Sequence, residues 1–185
     1  MHAEIVIAVI VVAAAVVLLA AWLYMRRCRS LQLRDRFGPE YERTVRERGG
    51  SSRRAEEELE ERVKRVDKFD LRPLSESERQ RYFERWMEVQ RRFVDDPKFA
   101  VFSADDLITE VMRAEGYPMA DFEQRAADIS VEHPLLVSNY RVAHDIALRE
   151  HRGETNTEEL RKAIVHFRFL FEQLLESGSE GREVA

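Results

Sequence analysis

"SESERQRYFERWMEVQRRFVDDP" (75–97) decides the fold class. Ser75 and Glu78 stand three apart, the spacing of a capping box, in which a serine hydroxyl serves an orphan helix amide and a glutamate reaches back. Tyr82, Phe83, Trp86, Met87, Gln90, Phe93 and Val94 then recur at intervals of three and four. That period lays them along one wide face of a helix, where a strand would alternate. Asp95-Asp96-Pro97 ends this helix and opens another, because proline is tolerated in a first turn and nowhere deeper.

Towards the C-terminus the helical period continues. "PKFAVFSADDLITEVMRAEGYP" (97–118) carries Phe99, Val101, Phe102, Leu107, Ile108, Val111 and Met112. Gly116 suits the left-handed position beyond a helix end, with Pro118 barring continuation. An alternative reading splits the segment at Ser103, whose hydroxyl can cap a helix from Ala104. "MADFEQRAADISVEHP" (119–134) predicts a short helix ending ahead of Pro134, since residues before proline avoid helical geometry. A further helix is expected from Pro134 to His151, stopped by Gly153. Thr157 caps the last one, with Leu160, Ala163, Ile164, Phe167, Leu170, Phe171, Leu174 and Leu175 on its apolar face. "KFAVF" (98–102) is the one short strand-like run, and its neighbours are helical. The fold class is therefore all-α. The expected domain is a bundle of four or five helices over 74–177, followed by a polar, flexible tail at 178–185.

Towards the N-terminus the character changes. "SSRRAEEELEERVKRVDKFDLRP" (51–73) has only a narrow seam of Ala55, Leu59, Val63 and Val66, flanked by i,i+4 pairs such as Glu58–Arg62 and Glu61–Arg65. A two-heptad coiled coil fits that seam. A helix lying along the domain fits it better, because the seam is short. "RFGPEYERTVRERGG" (36–50) predicts a helix from Pro39 to Arg48, closed by Gly49-Gly50. Residues 26–73 thus read as a basic juxtamembrane segment with charged connector helices.

Residues 1–25 read as a transmembrane anchor. Ile5 to Tyr24 is a run of 20 residues without a charge, passing through Val12 and Leu18. At about 1.5 Å per residue it matches the roughly 30 Å of a bilayer's hydrocarbon core. Trp22 and Tyr24 mark its end at headgroup level, and Arg26, Arg27, Arg29, Arg34 and Arg36 follow against the single acid Asp35. Positive charge on that flank places the N-terminus outside and the C-terminal domain in the cytoplasm. A cleaved signal peptide would carry its charge ahead of a shorter apolar core.

The charge is divided along the chain. Residues 26–54 hold ten arginines and four acids, whereas residues 55–185 carry a net −10. Basic residues beside a bilayer are drawn to anionic headgroups, while the acidic remainder is repelled from nucleic acid. The lone cysteine, Cys28, forms no internal disulfide.

Catalytic signatures are missing. The seven glycines make neither a P-loop nor a dinucleotide turn, and there is no G-x-S-x-G elbow. His144 and His151 stand seven apart, too far for one metal without a third element, and neither H-x-x-x-H nor paired E-x-x-H occurs. No cofactor or metal is expected. The acids near helix starts, Asp95, Asp96, Asp105, Asp106 and Asp121, are explained by capping and the helix dipole. One polar patch stands apart from that pattern: Asp128, Tyr140, Arg141 and His144.

"RFGPEYERTV" (36–45), "QRRFVDDPKFAVFSADDLITEVMRAEGYP" (90–118) and "ADISVEHPLLVSNYRVAH" (127–144) together resemble an uncharacterised family of bacterial single-pass membrane proteins with a helical cytoplasmic domain. The resemblance implies a bacterial inner-membrane setting and assigns no catalytic residue. The expected function is a non-enzymatic, membrane-anchored adaptor or scaffold. Its partners would be the phospholipid bilayer and a membrane-associated protein, not nucleic acid, with Trp86, Phe83, Phe99 and Phe102 as the aromatic anchors to watch. Two alternatives stand beside it. One is a ligand binder or enzyme with an inter-helix pocket near Tyr140, His144 and Asp128. The other is a structural protein that self-associates into homo-oligomers.

Overall fold

A computed structural model describes the backbone of residues 2–180 and the side chains of residues 16–176. Among the described residues there are eight helices and no strand: α1 (His2–Phe37), α2 (Pro39–Glu47), α3 (Ser52–Val66), α4 (Glu76–Asp95), α5 (Pro97–Glu115), α6 (Phe122–Glu132), α7 (Val137–His151) and α8 (Thr157–Glu180). The all-α class holds, with α4 to α8 forming the five-helix bundle. The side chains of residues 1–15, among them Ile5 and Val12 of the expected anchor, lie outside the described residues. Among those described, no helix is long and apolar enough to cross a membrane. The tail beyond residue 180 also lies outside them.

Local chemistry sets most helix ends. Ser75 Oγ accepts from the Glu78 amide while the Glu78 carboxylate accepts from the Ser75 amide, completing the capping box. Asp96 caps α5 through the Phe99 amide at 3.1 Å, and Asp121 caps α6 through the Gln124 amide at 2.9 Å. Ser51 caps α3 through the Arg54 amide. α5 runs unbroken past Ser103, because Leu107, Ile108, Val111 and Met112 continue the buried face set by Ala100, Val101 and Ala104. α7 begins at Val137, not Pro134, with Leu135 and Leu136 in the preceding turn. α1 is a single helix through the arginines, because the first breaker after residue 2 is Gly38-Pro39.

Two apolar cores result. The larger gathers Trp86, Leu107, Ile108, Met112, Phe167 and Phe171, among others, where α4 and α8 flank α5 and α7 packs on α8. The smaller contains Leu33 and Phe37 of α1, Tyr41 of α2, Leu59 and Val66 of α3, and Val131 of α6. Residues 33–71 are therefore folded onto the bundle, and α3 lies along it rather than projecting as a coiled coil.

The connector between α3 and α4 is held to the end of α5. The Arg72 amide donates to the Glu115 carbonyl at 2.9 Å. Gly116, at φ 100°, lets the chains meet: a Cβ there would lie 2.4 Å from the Asp70 carbonyl oxygen. Gly116→Ala combines a left-handed penalty with a backbone clash, so it is expected to cost at least about 2 kcal/mol. A lowered melting temperature, measured by circular dichroism on the full chain, checks this.

Candidate functional site: an exposed groove and a buried charged junction

The residue that ties the N-terminal helices to the bundle is Glu40, which is 3% exposed. One carboxylate oxygen accepts from Arg62 of α3 at 3.1 Å, Arg43 of α2 at 3.4 Å and Arg141 of α7 at 3.3 Å. Arg62 is itself 5% exposed. It also donates to Glu58 at 2.6 Å and to Ser130 Oγ of α6 at 3.4 Å. Arg62 is the residue that sequence reasoning passed over. The buried seam of α3 is Ala55, Leu59, Arg62 and Val66, while Val63 is only partly covered. The signal was present: 55, 59, 62 and 66 keep a better i, i+4, i+7, i+11 register than a seam through residue 63.

The four residues of the sequence-derived polar patch divide between two environments. Asp128 is buried on α6 and accepts from Arg65 Nη2 at 2.7 Å, Arg65 Nε at 2.9 Å and Gln124 Nε2 at 2.8 Å. Arg141 faces Glu40 and Glu123. Asp128 and Arg141 therefore belong to the charged junction. Tyr140 and His144 turn towards α5 instead. His144 Nδ1 lies 3.2 Å from Asp105 Oδ2, and its ring stacks on Phe122 at 3.7 Å. Tyr140 is fully buried and 4.8 Å from the Phe122 ring. Tyr140 Oη and Asp105 Oδ1 are buried without a hydrogen-bond partner among the described residues. Burial, then the Asp105 charge, holds the Tyr140 phenol above its ordinary pKa. Crevices of about 350 Å3 open on either side of Arg141 and are lined largely by charged side chains.

Other titratable groups have structural explanations. Asn139 Oδ1 sits 2.8 Å from His166 Nδ1, joining α7 to α8. Burial, and then the nearby Lys162, lowers the His166 pKa. His151 stacks on Phe102 at 4.2 Å. Glu115 is 7% exposed at the end of α5. Its burial, only partly opposed by the Arg72 charge, pushes its carboxyl up to about 8. Among the described residues, no group of three or more His, Cys, Asp or Glu side chains is placed to hold a metal ion.

A partly apolar groove of about 440 Å3 lies between α4 and α8. Trp86 and Phe171 stack across it at 4.9 Å, both buried. Phe83, 49% exposed, and Met87, 42% exposed, stand one helical turn apart on its α4 side, with Leu175 on the other. Arg168, Glu172 and Gln90 supply polar groups along it. The aromatic residues expected as anchors thus differ in role. Trp86 is core, Phe83 is surface, and Phe102 packs on His151. Phe99, though 46% exposed, lies under the Arg92 guanidinium at 3.8 Å.

Comparison with protein-family models, curated proteins and solved structures finds no match to this chain.

Proposed function

We propose that this chain is a non-enzymatic adaptor at the inner membrane of a bacterium, anchored by residues 5–24, that presents its helical domain to a membrane-associated protein in the cytoplasm. The α4–α8 groove is the observation that carries this reading. Phe83 and Met87 lie in the open where a soluble helix normally turns charge to water, and they adjoin the buried pair Trp86 and Phe171. An amphipathic helix laid over that groove would cover them. The anchor is supported by the uncharged run and the arginines that follow it. Leu18, Trp22 and Tyr24 are 71%, 51% and 71% exposed. Because α1 continues into the smaller core without a hinge, the domain would be held close to the bilayer, raising its effective concentration towards partners there.

The test uses the full chain in cells. C28S/E172C should stay with membranes through alkaline extraction and react with a membrane-impermeant maleimide only after the cells are opened. Release by alkali, or labelling of intact cells, overturns the anchored orientation. In proximity labelling, the unaltered chain should mark one membrane complex, and F83D/M87K should lose that mark. Because both side chains are half-exposed, the variant's stability should change by no more than about 1 kcal/mol. An identical labelled set from both chains overturns the groove as the docking surface.

A further inference from the structure

The arginines after Tyr24 are unequal once α3 is in place. Arg29 pairs with Glu60, Arg34 lies 3.5 Å from Glu42, and Arg36 lies 3.5 Å from Glu132. These three are spent on the fold. Arg26 lies over the Trp22 ring at 5.5 Å. Neither Arg26 nor Arg27 has a carboxylate within ion-pair distance among the described residues. Both line a cleft of about 300 Å3 between α1 and the start of α3, with Leu23 on the α1 side and Ser52 and Arg53 on the other. Arg53 is paired with Glu57 at 2.9 Å, and Glu56 in the cleft wall accepts from the Ser30 and Tyr41 hydroxyls at 2.6 and 3.0 Å. Arg26 and Arg27 outnumber the Glu56 carboxylate, so the cleft keeps a net positive charge.

Leu19 and Leu23, both more than half exposed, lie two turns and one turn back along α1 on the face that leads to Arg26 and Arg27. An apolar stripe that ends in unpaired guanidinium groups matches an acyl chain that ends in a phosphate. Guanidinium is suited to that partner because its planar fork donates two parallel hydrogen bonds to phosphate oxygens. We infer that the α1–α3 cleft is a binding site for the phosphate of an anionic phospholipid, held by Arg26 and Arg27 against the start of α3 at Ser52, with its acyl chain along Leu19 and Leu23. The inference rests on the anchor reading, which puts these arginines at headgroup depth. It goes further in making α3 part of the site and in excluding Arg29, Arg34 and Arg36 from it.

The test is native mass spectrometry of the full chain, purified in mild detergent and offered equimolar phosphatidylglycerol and phosphatidylcholine. The unaltered chain should retain phosphatidylglycerol in preference. R26Q/R27Q should reduce that retention roughly tenfold, whereas R34Q/R36Q, with the same change of charge, should stay within about twofold. Circular dichroism of each variant establishes that the helices persist, as expected where Arg26 and Arg27 make no contact within the fold's cores. Absence of preference in the unaltered chain overturns the site. Equal loss in both double variants overturns it too, reducing the effect to general surface charge. Displacement of the lipid by millimolar inorganic phosphate overturns the lipid as the ligand. Alkaline extraction reports on the anchor separately, so a chain that stays in the membrane but shows no lipid preference overturns the cleft alone.

Discussion

Glu115→Gln is expected to raise the melting temperature of the full chain near pH 8 and to leave it almost unchanged near pH 4.5. The Glu115 carboxyl is buried beside the connector of residues 67–73, and desolvation pushes it from an ordinary 4.5 up to about 8. In the unfolded chain it releases its proton near 4.5, while the folded chain keeps the proton until about 8. Between those values the native state binds more protons than the unfolded state, so stability falls as pH rises. The contribution is fully present below pH 4.5 and lost as pH climbs through 8. Over the full interval the penalty is on the order of 4–5 kcal/mol. Glutamine carries a neutral amide at every pH and escapes it, so the variant should gain roughly 8–16 °C at pH 8. Thermal melts of both chains at pH 5, 6, 7 and 8 measure this as a gap that widens with pH. Parallel curves would mean that the carboxylate reaches water.

The second large effect is expected at Arg62. Arg62→Met keeps most of the side-chain volume and removes the charge that Glu40 faces at 3.1 Å. Glu40 would remain buried with Arg43 and Arg141 at 3.4 and 3.3 Å. Breaking one side of a buried ion pair typically costs about 3–5 kcal/mol, because a charge is left without its partner. Replacing both members with apolar residues is often nearly neutral. Arg62→Met alone should therefore lose on the order of 3 kcal/mol, and Arg62→Met with Glu40→Leu should recover much of it. Arg43 and Arg141 remain partly exposed, and Arg141 keeps Glu123. Chemical denaturation of the two single variants and the double variant forms the cycle that isolates the coupling. Hydrogen exchange should localise the weakening in the Arg62 variant to α2, α3 and the neighbouring turn of α6. Since α1 joins the domain through these helices, the same variant tests how firmly the N-terminal helix is tied to the bundle.

Much of this architecture was legible residue by residue. Ser75 with Glu78, Asp96 with Pro97, Asp121, and Gly116 with Pro118 each act over a few positions, and each sits at the helix end it foretold. The face through Trp86 and the face through Phe167 and Phe171 could be read as well, because burial follows a local period. Boundaries depending on competition between neighbours were less clear. Pro134 was available to start α7, yet the helix begins at Val137. The hydroxyl of Ser103 was available to split α5, yet the apolar face carries the helix through. The site was harder to see. Asp128 meets Arg65 across 63 positions of sequence, and Glu40 meets Arg141 across 101.

The chain alone determined that this protein is helical, where most of its helices stop, and that an uncharged run leads into a cluster of arginines. Those properties come from backbone geometry, capping and period, which need no distant partner. Only the tertiary structure decided which charges are buried and which are free. Arg62 became a core residue, Arg29 and Arg36 were taken up by acids on other helices, and Arg26 and Arg27 were left over. A charge's role depends on what stands within a few ångströms of it, and in a bundle of helices that neighbour comes from packing rather than from the next turn of the same chain.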